Sequence, residues 1–523
     1  MEFSLLLQNT RELWKEWEMR LLVLLSLFLQ LTLATQARRR KSIFSYCNHV
    51  MIWTTYLLAD SIATFSLSIL SSRLANIQET KGTTNPKSQI TAFWAPFLLL
   101  HLGGPDTITA YGQENNDLWL RQLVRLCIQV GLVCFIYFMA LSGSPLSMFA
   151  VGMILVGFMK YAERILCLYL ANEGRLRDSL LVLPNFVPIY TRIMDQYTLK
   201  ELEGYLVEID EVTEVSCADD FPGNSYEASN EKVFTMDKAY ELFEVFKLLF
   251  LGYIRRFGDL EACKRMFMKH RHMDSNMAFG IVEIELGLMY DLLYTKVPLL
   301  NCAWSIIRWA VSLSVPSAIL VFFSLQDKKD YAKVDICITF FLISVAILLE
   351  IYSLLLAISS DWVNHWQLQR VGKSAISSAV AFLQFCPNRR WSNYVAQFNL
   401  FRLSIRKRNR IFLKYPWLSK SDEKLMIFYI GYKMFKSNVK EWIFRHMRDT
   451  AQNLERNHRL ENGLASLKLE ASEILMRSNC GHLTWSVEAM EFDKSILIWH
   501  VATELCQSAL SIRGQGGDAG QKR

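Results

Sequence analysis

The chain alternates between apolar stretches and long polar regions. An α-helix needs about 20 apolar residues to cross the hydrocarbon core of a bilayer. Seven stretches approach that length, five in the first third of the chain and two after residue 300. This pattern predicts a multi-pass membrane protein. The predicted spans are Met19–Thr35, Cys47–Leu70, Ile90–Leu102, Leu118–Ala140, Leu146–Tyr169, Cys302–Leu325 and Val334–Ile358.

The third apolar stretch is the shortest of the seven. It has thirteen residues, contains Pro96 and is followed directly by Gly103-Gly104-Pro105. Proline interrupts an ordinary helix, and thirteen residues are too few for a regular crossing. The stretch therefore either crosses the bilayer or enters and leaves it on one side, and its composition leaves both interpretations open.

The positions of Lys and Arg predict the orientation, because basic residues near the ends of spans stay on the cytoplasmic side. Seven crossings put the main basic clusters on one side, whereas a third stretch that does not cross would put the later clusters on the other. We therefore expect an extracytoplasmic N-terminus and two large cytoplasmic regions. The clusters are Arg38–Lys41, Arg121, Arg125, Lys160, Arg164, Arg175, Arg177, Arg370, Lys373, Arg389 and Arg390.

The polar regions have helical patterns, so the predicted fold class is all-α. Apolar residues recur every three or four positions in Tyr240–Tyr253, while Ile281–Tyr290 is expected to lead into the sixth span and Glu423–Met476 to be helical throughout. A loop is predicted at Cys217–Ser225 and a disordered tail after residue 505. The predicted regions are an N-terminus 1–18, a five-span block 19–170, a helical region 171–300, a two-span hairpin 301–359, a helical C-terminal region 360–505 and a tail 506–523.

Composition narrows the possible partners. The net charge of +7 concentrates in Arg38–Lys41 and Arg402–Arg410, and both runs flank apolar segments. Such placement favours anchoring to a membrane surface over binding nucleic acid. The expected partners are the lipid bilayer, anionic lipid headgroups and cytoplasmic proteins. Eleven scattered cysteines without a CxxC pair predict neither a disulfide framework nor a cofactor, and plasma membrane and endoplasmic reticulum both stay open.

Asp60, Arg308 and Glu350 are candidate functional residues within predicted spans, where charge is costly and usually faces a partner or water. Arg308 and Glu350 lie at similar depths on consecutive antiparallel spans, so we expect them to form an ion pair. Asp60 lies near the middle of the second span with no evident basic partner. These residues are either structural, with Asp60 protonated or bonded to neighbouring hydroxyls, or part of an ion pathway.

A second group of charges is predicted at the cytoplasmic rim. Lys160, Glu163 and Arg164 share one side of the fifth span, since residues three and four apart are neighbours on a helix. They act either as anchors with surface ion pairs or as a basic mouth for an anionic headgroup or small anion. The whole rim group is His101, Asp106, Arg121, Arg125, Lys160, Glu163 and Arg164.

Two patterns resemble catalytic or metal sites. His101 and Asp106 have the H-x4-D spacing of lipid acyltransferases, but a chance occurrence is the better interpretation because the α/β domain of those enzymes is missing from the pattern. The set Cys480, His482, His500 and Cys506 has no compact zinc spacing, so we predict no metal site.

Six segments of the sequence together resemble one family, the plant membrane proteins with domain of unknown function 4220. In that family a smaller domain of unknown function, 594, usually follows at the C-terminus, and the resemblance implies that it is truncated here. The resemblance implies a membrane architecture and a plant origin but no mechanism. The segments are Phe93–Asp106, Leu118–Arg121, Lys160–Arg164, Glu285–Lys296, Arg390–Leu400 and Ile496–Leu505.

Three functions remain after these arguments. The favoured hypothesis is a membrane-anchored interaction or signalling scaffold, because close to 300 residues lie in polar regions without a catalytic constellation. The first alternative is a channel or transporter that uses Asp60, Arg308 and Glu350. The second is a membrane-embedded lipid-modifying enzyme at His101 and Asp106.

Overall fold

The computed structural model divides the chain into two compact units, Met1–Ser392 and Asn393–Arg523. Each unit is described by itself. The structure describes residues 2–42, 46–81, 86–176, 231–247, 263, 266–267, 273–297, 299, 303–363, 365, 390–398, 430–457 and 463–518.

The first unit is a helical bundle joined to two helices of the polar region. Its helices are α1 Glu2–Gln36, α2 Tyr46–Lys81, α3 Pro86–Ala92, α4 Ala95–Leu102, α5 Gln113–Asp117, α6 Trp119–Ile136, α7 Ser147–Leu170, α8 Glu231–Phe246, α9 Ser275–Tyr294, α10 Ala303–Leu325 and α11 Lys333–Ile358. A short 3-10 helix, Ala37–Lys41, follows α1.

Among the residues that the structure describes, five helical stretches are long and apolar enough to cross a membrane. They are Trp17–Lys41, Cys47–Ile77, Trp119–Leu141, Ser305–Leu325 and Lys333–Ile358. The sequence predicts two further spans. One corresponds to α7, which is long enough but carries Lys160, Glu163 and Arg164. The other is the third apolar stretch, which is a shorter apolar helix here.

The third apolar stretch is a broken helix at the centre of the bundle. A turn at Phe93 and Trp94 separates α3 from α4, and Pro96 lies in the first turn of α4, where its missing N–H breaks no helical hydrogen bond. Trp94 Nε1 donates to Thr339 Oγ1 at 3.0 Å, while Asp106, just after α4, accepts from Ser353. Thr339 and Ser353 lie fourteen residues apart on α11, so the segment advances about 20 Å along that helix.

Two opposite ends of the bundle can be defined from its ion pairs. At the Asp335 end, Arg20 Nε lies 2.7 Å from Asp335 Oδ1 and connects the middle of α1 to the start of α11. At the Lys41 end, Lys41 forms an ion pair with Asp291 on α9. The side chains of α4 between these ends are almost entirely buried, which makes this short helix the core of the bundle.

Helix α9 packs on α8 and does not lead directly into the sixth span. It ends at Tyr294, and Thr295 and Lys296 turn the chain before α10 begins at Ala303. The expectation of one continuous helix is therefore wrong. The turn places Lys296 in the bundle, where its backbone N–H donates to the carbonyl oxygen of Asp106 at 3.2 Å.

The second unit contains a small two-stranded sheet, which the sequence did not predict, while the described residues are mostly helical. Strands β1, Tyr394–Phe398, and β2, Ile430–Met434, pair antiparallel with Tyr394 opposite Met434. Both strands are rich in aromatic and β-branched residues, which favour extended backbone. The chain as a whole remains mostly helical.

The helices of the second unit follow the sheet. They are α12 Ser437–Asn457, α13 Gly463–Arg477, α14 Trp485–Glu488 and α15 Phe492–Asp518. A strand and two separate helices thus occupy much of the stretch Glu423–Met476, which was expected to be one helical run. The last helix extends through Asp518, into the segment for which the sequence predicts disorder. The predicted loop at Cys217–Ser225 lies outside the described residues.

A capping residue fixes the start of α9. The Asp274 side chain accepts a hydrogen bond from the backbone N–H of Met277 at 2.7 Å. Replacing Asp274 by alanine should lower the free energy of unfolding by about 1 kcal/mol, whereas serine should keep most of the cap. Chemical denaturation of the two variants in detergent checks this, and equal losses for alanine and serine would contradict it.

Candidate functional site

Six ionisable side chains meet near the Lys41 end of the bundle, and we call them the Asp106 cluster. Five different parts of the fold supply them: the turn after α4, α7, the turn after α9, α10 and α11. Most are buried, so water cannot screen them fully and each needs a partner within the protein. The members are Asp106, Lys160, Glu163, Lys296, Arg308 and Glu350.

Asp106 is the centre of this cluster. Its Oδ2 lies 3.0 Å from Arg308 Nη1 and also accepts a hydrogen bond from the Ser353 hydroxyl. Its Oδ1 lies 3.4 Å from Lys296 Nζ and 3.7 Å from Lys160 Nζ. Burial alone would raise the pKa of Asp106, but the surrounding positive charges hold it well below its ordinary value, so the carboxylate is ionised at neutral pH.

The other two carboxylates have separate partners. Glu350 forms an ion pair with Lys160, and its Oε2 accepts from Ser312 Oγ at 3.0 Å. Glu163 Oε2 lies 3.3 Å from Arg308 Nη1. The predicted Arg308–Glu350 pair is therefore wrong, because the turn after α4 and helix α7 bring closer partners between them.

Lys296 connects the turn after α9 to the membrane bundle through hydrogen bonds. Its side chain is 1% exposed. Its ammonium donates to the carbonyl oxygens of Gly103 at 3.0 Å, Lys160 at 3.3 Å and Gly104 at 3.4 Å. Gly104 has a φ of +65°, a conformation that glycine adopts at little cost. The two glycines thus allow carbonyl groups from a tight turn to surround a lysine from a distant part of the chain.

Asp60 has a basic partner after all. Arg164 Nη1 and Nη2 lie 2.8 Å and 3.1 Å from Asp60 Oδ1 and Oδ2, and Nη1 also donates to the carbonyl oxygen of Leu102 at 2.8 Å. Such a forked pair is strong and directional. The expectation that no basic residue lies level with Asp60 is wrong, since α7 carries Arg164 into the bundle instead of to its surface.

The predicted rim group separates into two sets. Asp106, Lys160, Glu163 and Arg164 lie within the bundle. Arg121 and Arg125 are exposed on α6. A basic mouth for an anionic headgroup at the rim stays a prediction.

His101 is buried and shares a hydrogen bond of 2.9 Å with Ser26, between Nδ1 and Oγ. Ser26 is fully buried as well, so this pair offers no accessible nucleophile. The Asp106 carboxylate contacts Arg308 in the cluster, whereas His101 bonds to Ser26. The two residues therefore do not form the His–Asp pair of lipid acyltransferases.

The Asp106 cluster balances its own charge. Its three carboxylates, on Asp106, Glu163 and Glu350, face three cations, on Lys160, Lys296 and Arg308. The formal sum is zero. Lys160 lies within ion-pair distance of both Asp106 and Glu350, so a proton gained or lost by either carboxylate changes the partner that Lys160 prefers.

Two small cavities meet at Asp106. The inner cavity, about 40 Å³, extends along α11 from Ala346 to Ser353 and includes His101, Lys160 and Glu350 in its wall. The entrance cavity, about 50 Å³, extends from Ser353 to Ser360 and includes Lys41, Asp291 and Lys296. Asp106, Thr107 and Ser353 belong to both walls. Asp60 lines neither cavity.

The entrance cavity lies where helices end. Lys41, Thr295 and Ala357 are at the C-terminal ends of the α1 segment, α9 and α11. Helix C-termini carry partial negative charge, which favours cations nearby. Burial raises the pKa of Asp291 in this wall, and the Lys41 ammonium offsets part of that increase.

The sequence argument missed Lys296, Ser353 and Ser312. Lys296 follows α9, a helix outside the predicted spans that carries Glu283, Glu285 and Asp291, so hydropathy alone does not place it in the bundle. The signal in the sequence that could have identified Lys296 was its place in the segment Glu285–Lys296, which carries part of the family resemblance and directly precedes the sixth span. In the described part of the chain no group of three or more His, Cys, Asp or Glu side chains could hold a metal ion.

Residues 53–403 match the family described as Domain of unknown function (DUF4220). The matched region contains every member of the Asp106 cluster. No curated protein and no solved structure matches the chain. Since the match covers more than half of the 523 residues, this apolar, mostly helical membrane protein belongs to the DUF4220 family.

Proposed function

We propose that the membrane bundle is a proton-conducting transporter and that the Asp106 cluster is its relay. The observation that carries this proposal is the alignment of the two cavities along α11, with Asp106 at their junction. Ionisable residues inside a membrane protein commonly mark proton or ion pathways. A merely structural ion pair needs no water-sized space on both sides of it.

The size of the cavities favours protons over larger solutes. A water molecule needs about 10–15 Å³ of such space, so a cavity of about 40 Å³ holds about three. From Ala346 to Ala357 the two cavities follow α11 for roughly 16 Å. Water in this space would link Asp291, Asp106 and Glu350 by hydrogen bonds.

The ion pairs support a mechanism of proton exchange. Asp106 is ionised at rest, so it binds a proton only transiently, and that proton neutralises the carboxylate and releases Lys160 to pair with Glu350 alone. Transfer of that proton to Glu350 returns Lys160 to Asp106, which is 3.7 Å away in the resting arrangement. Lys160 thus moves over a short distance between two acceptors, and the cluster carries one extra positive charge until the proton leaves it.

Aromatic rings pack together towards the Asp335 end of the bundle, where Phe340 precedes Ala346 of the inner cavity by six residues on α11. Phe93 lies 5.6 Å from Phe97 and 6.5 Å from Phe323, measured between ring centroids, and Phe323 lies 5.1 Å from Phe340. All but Phe340 are fully buried. We therefore assign the structure to a state closed at this end, and conduction requires a second state in which these rings separate.

The proposal includes seven passes with the Lys41 end in the cytoplasm. The advance of the broken helix by about 20 Å along α11 supports a crossing by the third stretch. The inward orientation of Lys160, Glu163 and Arg164 supports a crossing by α7, since its charges need not face lipid. The basic run Arg38–Lys41 supports the cytoplasmic assignment.

Proton flux into proteoliposomes tests the proposal. The full-length protein is reconstituted with an internal pH dye, and a potential is applied with potassium and valinomycin. Wild type should acidify the lumen, and Glu350→Gln should slow this by about tenfold or more because glutamine cannot exchange a proton. Asp60→Asn is the matched control, since Asp60 is also ion-paired within the bundle but lines neither cavity, and its flux should stay within about twofold of wild type.

Each other outcome counts against the relay. Wild-type liposomes that behave like empty ones would exclude proton conduction by the purified chain. Equal flux from wild type and Glu350→Gln, with both proteins monodisperse, would remove Glu350 and the inner cavity from the pathway. Equal loss in Glu350→Gln and Asp60→Asn would show a general effect on the bundle.

The scaffold hypothesis stays a prediction. It depends on residues 171–300 and 360–523, and a large part of both lies outside the described residues. Plant origin and the presence of a truncated domain 594 also stay predictions. The lipid-enzyme alternative gains no support from His101, because its partner Ser26 is fully buried.

A further inference from the structure

An ion pair between the polar region and the membrane bundle lies in the wall of the entrance cavity. Lys41 ends the basic 3-10 helix that follows α1, and Asp291 lies one turn before the end of α9. The two side chains pair, and the Lys41 ammonium also lies 4.6 Å from the centre of the Tyr290 ring. The pair therefore joins parts of the chain 250 positions apart in sequence.

The surroundings of this pair hold α9 in place without closing the cavity. The backbone N–H of Thr109 donates to the Tyr294 carbonyl oxygen at 2.8 Å, and Asn116 Nδ2 donates to the Leu293 carbonyl oxygen at 3.0 Å. The guanidinium of Arg40 lies 4.2 Å from the centre of the Tyr111 ring. These contacts fix the end of α9 on the loop after α4, so Lys41 and Asp291 can separate without releasing the helix.

Arg38 also lies in the wall of the entrance cavity and its charge acts on Asp291, but the direct ion pair of Asp291 is with Lys41. Asp361, the neighbouring carboxylate, is held by Arg390 through two hydrogen bonds of 2.7 and 2.9 Å. Lys296 is occupied by three carbonyl groups and Asp106. Lys41 is partly exposed, unlike Lys296, so it is placed between the entrance cavity and the outside.

We infer that the Lys41–Asp291 ion pair is a latch that closes the entrance cavity and controls access of water to Asp106. Both residues act as positioning residues, since neither touches Glu350 or the inner cavity. The inference rests on the proposed function for its purpose. It also assigns a role to the polar region, because α9 supplies Asp291, one of the two residues of the latch.

Cysteine labelling measures access directly. Ala357 is a small, buried residue in the wall of the entrance cavity, so Ala357→Cys places a thiol there. In the full-length protein, a water-soluble thiol reagent should modify this cysteine slowly. Adding Lys41→Met should speed modification by about tenfold, which corresponds to roughly 1.4 kcal/mol in the closing equilibrium. Peptide mass spectrometry separates position 357 from the native cysteines.

A charge exchange and a second reporter serve as controls. The pair Lys41→Asp with Asp291→Lys restores opposite charges, so labelling at position 357 should return close to the slow rate. Ala346→Cys, in the wall of the inner cavity only, should stay unreactive with and without Lys41→Met. Lys41→Arg keeps the charge and should label slowly, which separates loss of the ion pair from a folding defect.

Two results would overturn the latch. One is an unchanged labelling rate in Lys41→Met, and the other is fast labelling in the charge-exchanged protein. The labelling experiment requires no proton movement, so the two proposals fail separately. Faster labelling without wild-type proton flux would keep the latch and remove the relay, whereas flux with unchanged labelling would keep the relay and remove the latch.

Discussion

Replacing Gly103 by alanine is expected to destabilise the bundle strongly. A Cβ at this position would lie 2.9 Å from Lys160 Cβ and 3.0 Å from both the carbonyl carbon of Lys160 and the backbone nitrogen of Tyr161. Two of these atoms belong to the backbone of α7, so the whole helix must shift. A shift also disturbs the contact of Lys296 with the Gly103 carbonyl oxygen. Overpacking of this kind costs about 1–3 kcal/mol, and disturbance of the cluster adds to it.

The same substitution at Gly131 is the matched control. A Cβ at Gly131 in α6 would meet no atom within 4 Å. Alanine favours the helix over glycine by about 1 kcal/mol, so Gly131→Ala should leave stability unchanged or raise it slightly. Thermal unfolding in detergent measures both variants against wild type. Equal melting temperatures for the two variants would contradict the close approach of α4 and α7.

Much of the fold could be predicted from hydropathy alone. The helices at Trp17–Lys41, Cys47–Ile77 and Lys333–Ile358 overlap the predicted spans because long apolar runs permit few alternatives. Hydropathy could not decide whether the third stretch crosses the membrane. Pro96 and the short length of this stretch are compatible with a broken helix that crosses and with a re-entrant helix. Its path is defined by the hydrogen bonds of Trp94 and Asp106 to two different positions along α11. These are tertiary contacts, which hydropathy does not predict.

The small sheet was missed for a related reason. Strand β2 lies within the long segment Glu423–Met476, whose many charges of both signs suit a helix, and its partner β1 lies more than 30 positions earlier. A single strand of five residues gives a weak periodic signal. The two strands are stabilised by pairing with each other, and the local sequence pattern of either strand does not predict that pairing.

The members of the site were easier to predict than their partners. Asp106, Lys160, Glu163, Arg308 and Glu350 stand out because charge is rare in apolar segments. Counting residues along each span estimates depth but not the direction in which a side chain points. Arg308 and Glu350 therefore seemed suited to each other, although the turn after α4 places Asp106 closer to Arg308. Lys296 follows α9, a helix outside the predicted spans, and no hydropathy argument includes it.

Removing the charge of Arg308 is expected to have the largest effect among single substitutions in the Asp106 cluster. Its guanidinium is 4% exposed and contacts both Asp106, at 3.0 Å, and Glu163, at 3.3 Å. Arg308→Met would leave three carboxylates facing two cations in a poorly hydrated site. Loss of one partner from a buried ion pair costs about 3–5 kcal/mol because the remaining charge is left without compensation. Unfolding in detergent at neutral pH measures this loss.

A second substitution distinguishes charge imbalance from lost packing. Glu163→Gln removes the carboxylate whose ion-pair partner is Arg308, so the double variant with Arg308→Met has two carboxylates and two cations. We expect the double variant to be more stable than Arg308→Met alone, with a coupling energy of about 1–3 kcal/mol. Strictly additive losses would instead mean that Glu163 and Arg308 contribute independently. In that case the cluster would not act as one neutral unit, and the exchange of Lys160 between Asp106 and Glu350 would lose its electrostatic basis.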